Sequence, residues 1–205
     1  IEGLQIRGFS GAGNWVFDAV SGSPSNVLVS KCILEVGDIR IGTATLRNVA
    51  CVGAAVRYPN SAGGAVHGCT IVGVTTGLVT SGYTNGSVNN TAVLNVTNFC
   101  TDGTKLTGDY NATNAATAQG GAHELTSLTS ADQIVNVSTD LRAKSTGSLQ
   151  AGTPDTTNLP DDITGMTRNA TTPWIGCWEV SAGGPFPHFI RRSNELTGGL
   201  IAMGM

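Results

Sequence analysis

The chain is predicted to be all-β and wound as a parallel β-helix. Three observations carry that expectation: a recurring strand phrase, a composition suited to strands and tight turns, and a closing pattern that begins where the recurrence stops. The phrase is a few alternating apolar residues, a turn residue, then Cys or a bulky apolar residue. It occurs at Leu4-Gln5-Ile6-Arg7-Gly8-Phe9, Leu28-Val29-Ser30-Lys31-Cys32, Leu46-Arg47-Asn48-Val49, Val66-His67-Gly68-Cys69 and Leu94-Asn95-Val96-Thr97-Asn98-Phe99. Its closing residues lie roughly 23, 17, 20 and 30 positions apart, as expected when each coil of a solenoid carries a loop of its own length. One coil cannot bury its apolar face alone, so the coils must stack into a single body.

Composition agrees. Charged residues make up 12% of the 205, about half the usual quarter, while 28 are Gly and much of the rest is Thr, Ser, Asn and Val. These residues suit strands and turns, and few segments offer a helix-forming mixture.

Taken in order, each phrase supplies one strand, and Asp38-Ile39-Arg40-Ile41 and Gly53-Ala54-Ala55-Val56-Arg57-Tyr58 form a second sheet of the coil. Gly8, Lys31, Asn48, Gly68 and Asn98 are placed at one common corner, where positive φ favours Gly and Asn and makes Lys31 the misfit. Cys32 and Cys69 share their repeat position with Phe9, Val49 and Phe99, which points them inward as small apolar side chains. Five cysteines cannot all pair within the chain, and no C-x-x-C spacing suggests a metal site. The small, polar stretch from Asn111 to Gly121 reads as a loop, and Ala131-Asp132-Gln133-Ile134-Val135-Asn136-Val137 as one more coil. Residues 152–173 hold three of the seven prolines and should wrap as an extended strap. Trp174 and Trp178 are then expected to cover the last exposed coil. The organisation expected is 1–137 as coils with an irregular region near 103–130, 138–180 as a capping strap, and 181–205 as an extended tail.

The closing segment resembles that of right-handed parallel β-helix repeat proteins. The phrases that carry the likeness are Asp140-Leu141-Arg142-Ala143-Lys144-Ser145, Gln150-Ala151-Gly152-Thr153, Asp162-Ile163-Thr164-Gly165-Met166-Thr167-Arg168 and Trp174-Ile175-Gly176-Cys177-Trp178-Glu179. Ala143 stands where that family has Leu, Gly147-Ser148 where Ser-Pro is common, and Cys177 where Ala is usual. The likeness implies the right-handed β-helix fold. The family includes secreted bacterial proteins, polysaccharide-active enzymes and virion proteins of tailed bacteriophages.

Charge narrows the partners. A net charge of −3 and a single adjacent basic pair, Arg191-Arg192, give no phosphate-tracking surface, so nucleic acid is not an expected partner. No apolar run approaches the ~18 residues of a membrane span. Common catalytic patterns fail on inspection. Gly37 to Ala44 has the glycine spacing of a phosphate loop with Thr43 in place of the Lys, and Gly11-Ala12-Gly13-Asn14-Trp15-Val16 lacks the third Gly of a dinucleotide turn. His123-Glu124 begins like a zinc-protease helix, but Ser127 stands where the second His belongs. A β-helix glycosidase needs two carboxyl groups about 5–9.5 Å apart. The weak candidates are Asp18, Asp38 and Asp102, and His67 reads as an outward surface residue.

The end of the chain is the most suggestive part. After Gly183-Gly184-Pro185, the residues Phe186, Phe189, Ile190, Arg191, Arg192, Leu200, Ile201, Met203 and Met205 form an apolar tail with one basic pair, suited to packing on a partner subunit. The expectation is a structural or attachment protein of a bacteriophage-like virion (fibre, spike or capsid decoration), homo-oligomeric, docked to other virion proteins through this tail and needing no cofactor. A host surface glycan is a further expected partner, with Tyr58 and Tyr83 as stacking platforms. The alternatives are a secreted or virion-borne polysaccharide lyase or hydrolase, and a bacterial surface adhesin.

Overall fold

The alternation of inward and outward residues builds three stacked walls. The computed structural model describes residues 2, 5–7, 15–18, 27–58, 63–80, 86–137, 140–155 and 157–180; Tyr83 and the whole tail from 181 lie outside them. The short strands β3 (Leu28–Ser30), β5 (Thr45–Arg47), β7 (Ala65–His67), β10 (Gly86–Asn89) and β13 (Leu106–Thr107) pair in parallel as a five-stranded sheet. The second sheet has nine strands. Its main path runs β1 (Gln5–Arg7), β4 (Ile33–Arg40), β6 (Ala50–Tyr58), β8 (Thr70–Val72), β11 (Ala92–Leu94) and β14 (Ala112–Thr113). β2 (Trp15–Asp18) joins it on β4, β9 (Thr76–Thr80) on β6, and β12 (Asn98–Cys100) on β9. The result is a nearly all-β parallel solenoid of about four turns.

The register makes the core a set of columns. Val29, Leu46, Val66 and Val88 align through one sheet, and Leu34, Cys51, Ile71 and Val93 through the other, all fully buried. Between the walls, two corners are turned by residues with positive φ. Lys31, Asn48, Gly68, Asn90 and Tyr110 stack at the first, with φ from 49° to 57°; Val36, Gly53, Gly73 and Asn95 stack at the second, with φ from 54° to 74°. Lys31, the misfit, is held by its ammonium, which lies 2.8 Å from Asp161 and 3.3 Å from Glu2. Burial of the thiols follows the expectation for Cys32 and Cys69, and among the described residues the five cysteines form no disulfide.

Three expectations need correction. The coil after Cys69 is closed by Thr91, not Phe99: Val88 aligns with Val66, so Asn90 takes the corner, while Asn98 opens β12 in the other sheet. A hydroxyl is tolerated at this core position because Thr91 donates to carbonyl oxygens of Asn89 (3.0 Å) and Val66 (3.4 Å). Residues 131–137 do not add a coil. Ser130–Gln133 is a single helical turn, and β15 (Ile134–Asn136) pairs antiparallel with β16 (Asp140–Ala143) as a hairpin.

The closing segment, finally, lies along the side of the stack, not over its end. It runs back along the first corner: Asn90 Nδ2 donates to the Thr153 carbonyl (2.9 Å), Leu159 sits against Gly68, and Asn48 Nδ2 donates to the Asp161 carbonyl (2.7 Å). The physical reason is the outer face of the nine-stranded sheet. Ala50, Val72, Ala92 and Leu94 point away from the solenoid core and are fully buried only because Ile163, Trp174, Ile175, Cys177 and Trp178 cover them. The far end of the stack is closed instead by residues 116–128, where Leu125 N donates to the Asn111 carbonyl and Thr113 N to the Leu125 carbonyl, each 2.8 Å.

Candidate functional site

Two places concentrate polar chemistry. The first is the clasp at Arg168, which is 7% exposed. Its guanidinium donates to the carbonyls of Gly176 (2.6 Å), Trp174 (2.7 Å) and Asp161 (3.1 Å) and to Asn48 Oδ1 (2.8 Å), with Glu179 Oε2 at 3.7 Å. Asp162 caps the turn that presents it, accepting from Thr164 N, Met166 N and Glu179 N. Every donor of this cluster points into the protein, so its chemistry is mechanical.

The second place is at the closed end. Asp109 Oδ1 accepts from the backbone N–H of Tyr110 (2.8 Å) and of His123 (2.7 Å), and its Oδ2 lies 2.6 Å from His123 Nδ1. The exposed imidazole stacks on Tyr110, with ring centroids 4.5 Å apart and planes 10° from parallel. Beside them Glu124 Oε1 accepts from Gln119 Nε2 (2.7 Å) and Asn111 Nδ2 (3.2 Å), while Glu124 Oε2 is buried with no hydrogen-bond partner. Burial, with the nearby Asp109 charge adding to it, pushes the Glu124 carboxyl up to about 7 against the opposing bonds from Asn111 and Gln119. Burial works the same way on Asp109, but the bonds from His123 and Tyr110 outweigh it and hold that carboxyl below its usual range.

Of the acids expected from sequence, Asp18 and Asp38 fall on adjacent paired strands two residues out of register, and Asp102 is set apart from both. Asp38 pairs with Arg57 at 2.6 Å, and the register sets Asp18 beside Arg40 in the neighbouring strand. Asp102 caps a 3-10 turn, accepting from Thr104 N and Oγ1, and lies beyond β12, three rungs from β4 and so at least ~14 Å from Asp38. That exceeds the reach of a glycosidase pair. Tyr58 is 4% exposed, its hydroxyl donating to the Ser87 carbonyl at 3.2 Å. It cannot serve as a stacking platform, because Val56 and Tyr58 share the inward face on either side of Arg57. His67 is half-buried, with Nδ1 lacking a partner; burial lowers its pKa against the pull of Asp155 in the strap. His123 sits in a turn, and not on a helix.

Among the described residues no group of three or more His, Cys, Asp or Glu could hold a metal ion, and no helix is long and apolar enough to cross a membrane. The Asp109–Glu124 cluster was missed because its members come from three separate stretches. The adjacent His123-Glu124 was its only sequence signal. No family model, curated protein or solved structure matches this chain.

Proposed function

We propose that the protein is a structural or attachment component of a bacteriophage-like virion, a fibre, spike or capsid decoration, in which the solenoid is a non-enzymatic scaffold and the residues beyond 180 dock it to other subunits or to a second copy of itself. The observation that supports this reading is the clasp. The phrases resembling the closing segment of β-helix repeat proteins supply Asp162, Trp174 and Glu179, which brace the segment internally, and Arg168, Gly176 and Cys177, which bond to Asn48, Asn90 and Thr70 in three coils. A rod stitched in this way resists fraying from its ends, which a load-transmitting particle component requires. The placement in a virion rests on the resemblance alone.

The test is the mass in solution, by size exclusion with light scattering, of the full chain and of a version ending at Ala182. An oligomeric full chain with a monomeric truncation supports docking through the tail; two monomers remove self-association from the proposal.

A polysaccharide hydrolase is the second reading, favoured by one observation: Asp109 and Glu124 are neighbouring carboxyls whose surroundings drive their proton affinities apart. Against it, Gly121 is wedged between them, a Cβ there falling 2.6 Å from Glu124 Oε1 and 2.7 Å from Asp109 Oδ1, so no glycosidic oxygen fits between the two. Chain-length analysis of capsular or polyuronate polysaccharide after incubation decides this reading.

A further inference from the structure

We propose that residues 116–128 form a pH-operated latch on the end of the solenoid, seated while Glu124 carries a proton and loosened when Glu124 ionises. The geometry begins with Asn111, which occupies the core position after Thr91 in the stack and is fully buried. Its Oδ1 accepts from Thr91 N (2.9 Å), and its Nδ2 donates both to the Val88 carbonyl (3.0 Å) and to Glu124 Oε1 (3.2 Å). The last coil is thus wired to the latch through one amide.

The latch itself adds a final rung. Leu125 N donates to the Asn111 carbonyl, Ser127 N to that of Ala115 (both 2.8 Å) and Leu128 N to that of Thr113 (3.1 Å). Glu124 opens this rung, and its seat suits a neutral acid. Oε1 receives two amide donors, but Oε2 is enclosed without any, so a full negative charge shared over both oxygens is half unsatisfied. Among the described residues the charge acting on it is that of Asp109; Lys105, on the Gly103–Lys105 turn that packs on Gln119, acts on Asp102 instead. Asp109 presses on the same glycine from the other side, and His123 is turned to Asp109. Cys100, at the end of β12, has its thiol pushed up to about 11 by burial, with the Asp102 and Glu124 charges contributing.

The direction follows from proton linkage. Once the latch opens, Glu124 returns to its ordinary carboxyl value near 4.5, whereas seated it holds its proton to about 7. The closed form binds more protons across that window, so closure weakens as pH rises from about 4.5 to 7 and is constant above. Opening uncovers the unpaired edge of Asn111 to Ala115, the open end of a parallel stack.

The test is hydrogen exchange by mass spectrometry on the full chain at pH 5 and pH 8, corrected for the intrinsic pH dependence of exchange. Protection of Leu125, Ser127 and Leu128 is expected to fall about 70-fold more than that of β5 or β7, and Glu124→Gln to abolish the difference. Equal protection at both pH values, or a Glu124→Gln chain that keeps the wild-type pH dependence, overturns the latch. If the variant fails to fold, the wild-type Glu124 carboxyl followed by carbon NMR decides. Its midpoint must coincide with the loss of protection, and a midpoint near 4.5 overturns the proposal.

Discussion

Replacing Arg168 with Met keeps much of the aliphatic volume and removes the guanidinium from the clasp. Three acceptors lose the guanidinium, the carbonyls of Trp174 and Gly176 and Asn48 Oδ1, while the Asp161 carbonyl keeps its bond from Asn48 Nδ2. Glu179 loses the only charge-compensating group within 4 Å that the clasp supplies, though it still accepts from Asn169 N and Trp174 N. Each buried acceptor left unpaired costs about 1–3 kcal/mol, and breaking a buried ion pair by removing one partner costs about 3–5 kcal/mol. These costs overlap, because the freed carbonyls relax together, so a total of about 4 kcal/mol is expected. For a chain of this size that lowers Tm by about 10 °C. Urea denaturation with a two-state fit measures it directly. Arg168→Lys should recover only part of the loss, since a compact ammonium with three donors cannot span acceptors arranged around a planar fork. A double-mutant cycle with Asn48→Gly, which preserves the positive φ while deleting the amide, should show a coupling of about 1–2 kcal/mol. A loss below about 1 kcal/mol for Arg168→Met would refute the argument that this side chain holds the clasp.

Other expectations follow from the columns. Val36 is a β-branched residue at φ 54° and 39% exposed, in a corner column otherwise made of Gly53, Gly73 and Asn95. Val36→Asn should therefore stabilise by about 1 kcal/mol in the same urea titration, and a destabilised variant would show that Val36 makes a contact the corner depends on. Gly108 has its backbone against the previous coil, a Cβ there falling 1.8 Å from the Val88 carbonyl, so Gly108→Ala should cost about 2 kcal/mol or more and release the latch region first in limited proteolysis. Burial pushes the Cys69 thiol up to about 12, the Cys100 thiol up to about 11 and the Cys51 and Cys177 thiols well above their usual range, and Cys32 is fully buried, so none of the five should react quickly with an aromatic disulfide at pH 8 until the chain unfolds. One fast native thiol contradicts that.

The phrases at Leu28, Leu46 and Val66 were legible because period-two alternation and a positive-φ corner leave the same trace in each coil. The next coil was misread because its core position holds Thr91, satisfied by carbonyls of its own and the preceding coil, while Leu94-Asn95-Val96 imitates the phrase. Asn95 does turn a corner, but the second one. Tyr58 was legible and overlooked: Val56 in and Arg57 out place it inward. The lateral clasp left less trace. Ala50, Val72, Ala92 and Leu94 are apolar on the outer face, a pattern that marks a wall covered on both sides, but nothing local says what covers it. The Asp109–Glu124 cluster depends on a loop folding back over the stack, and the long-range pairing of residues 123–128 with 109–115 brings its parts together.

The central claim is that the closing segment binds the coils into one cooperative rod. Its most direct test is native-state hydrogen exchange at the first-corner amides of Lys31, Asn48, Gly68 and Asn90, which donate to the carbonyls of Arg47, His67, Asn89 and Asp109 in the succeeding coils. The account expects one common opening free energy for all four, and an equal drop at all four in Arg168→Met, including Asn90, which Arg168 does not touch. If only Asn48 and Gly68 lose protection while Lys31 and Asn90 keep theirs, the coils open independently and the clasp is a local contact.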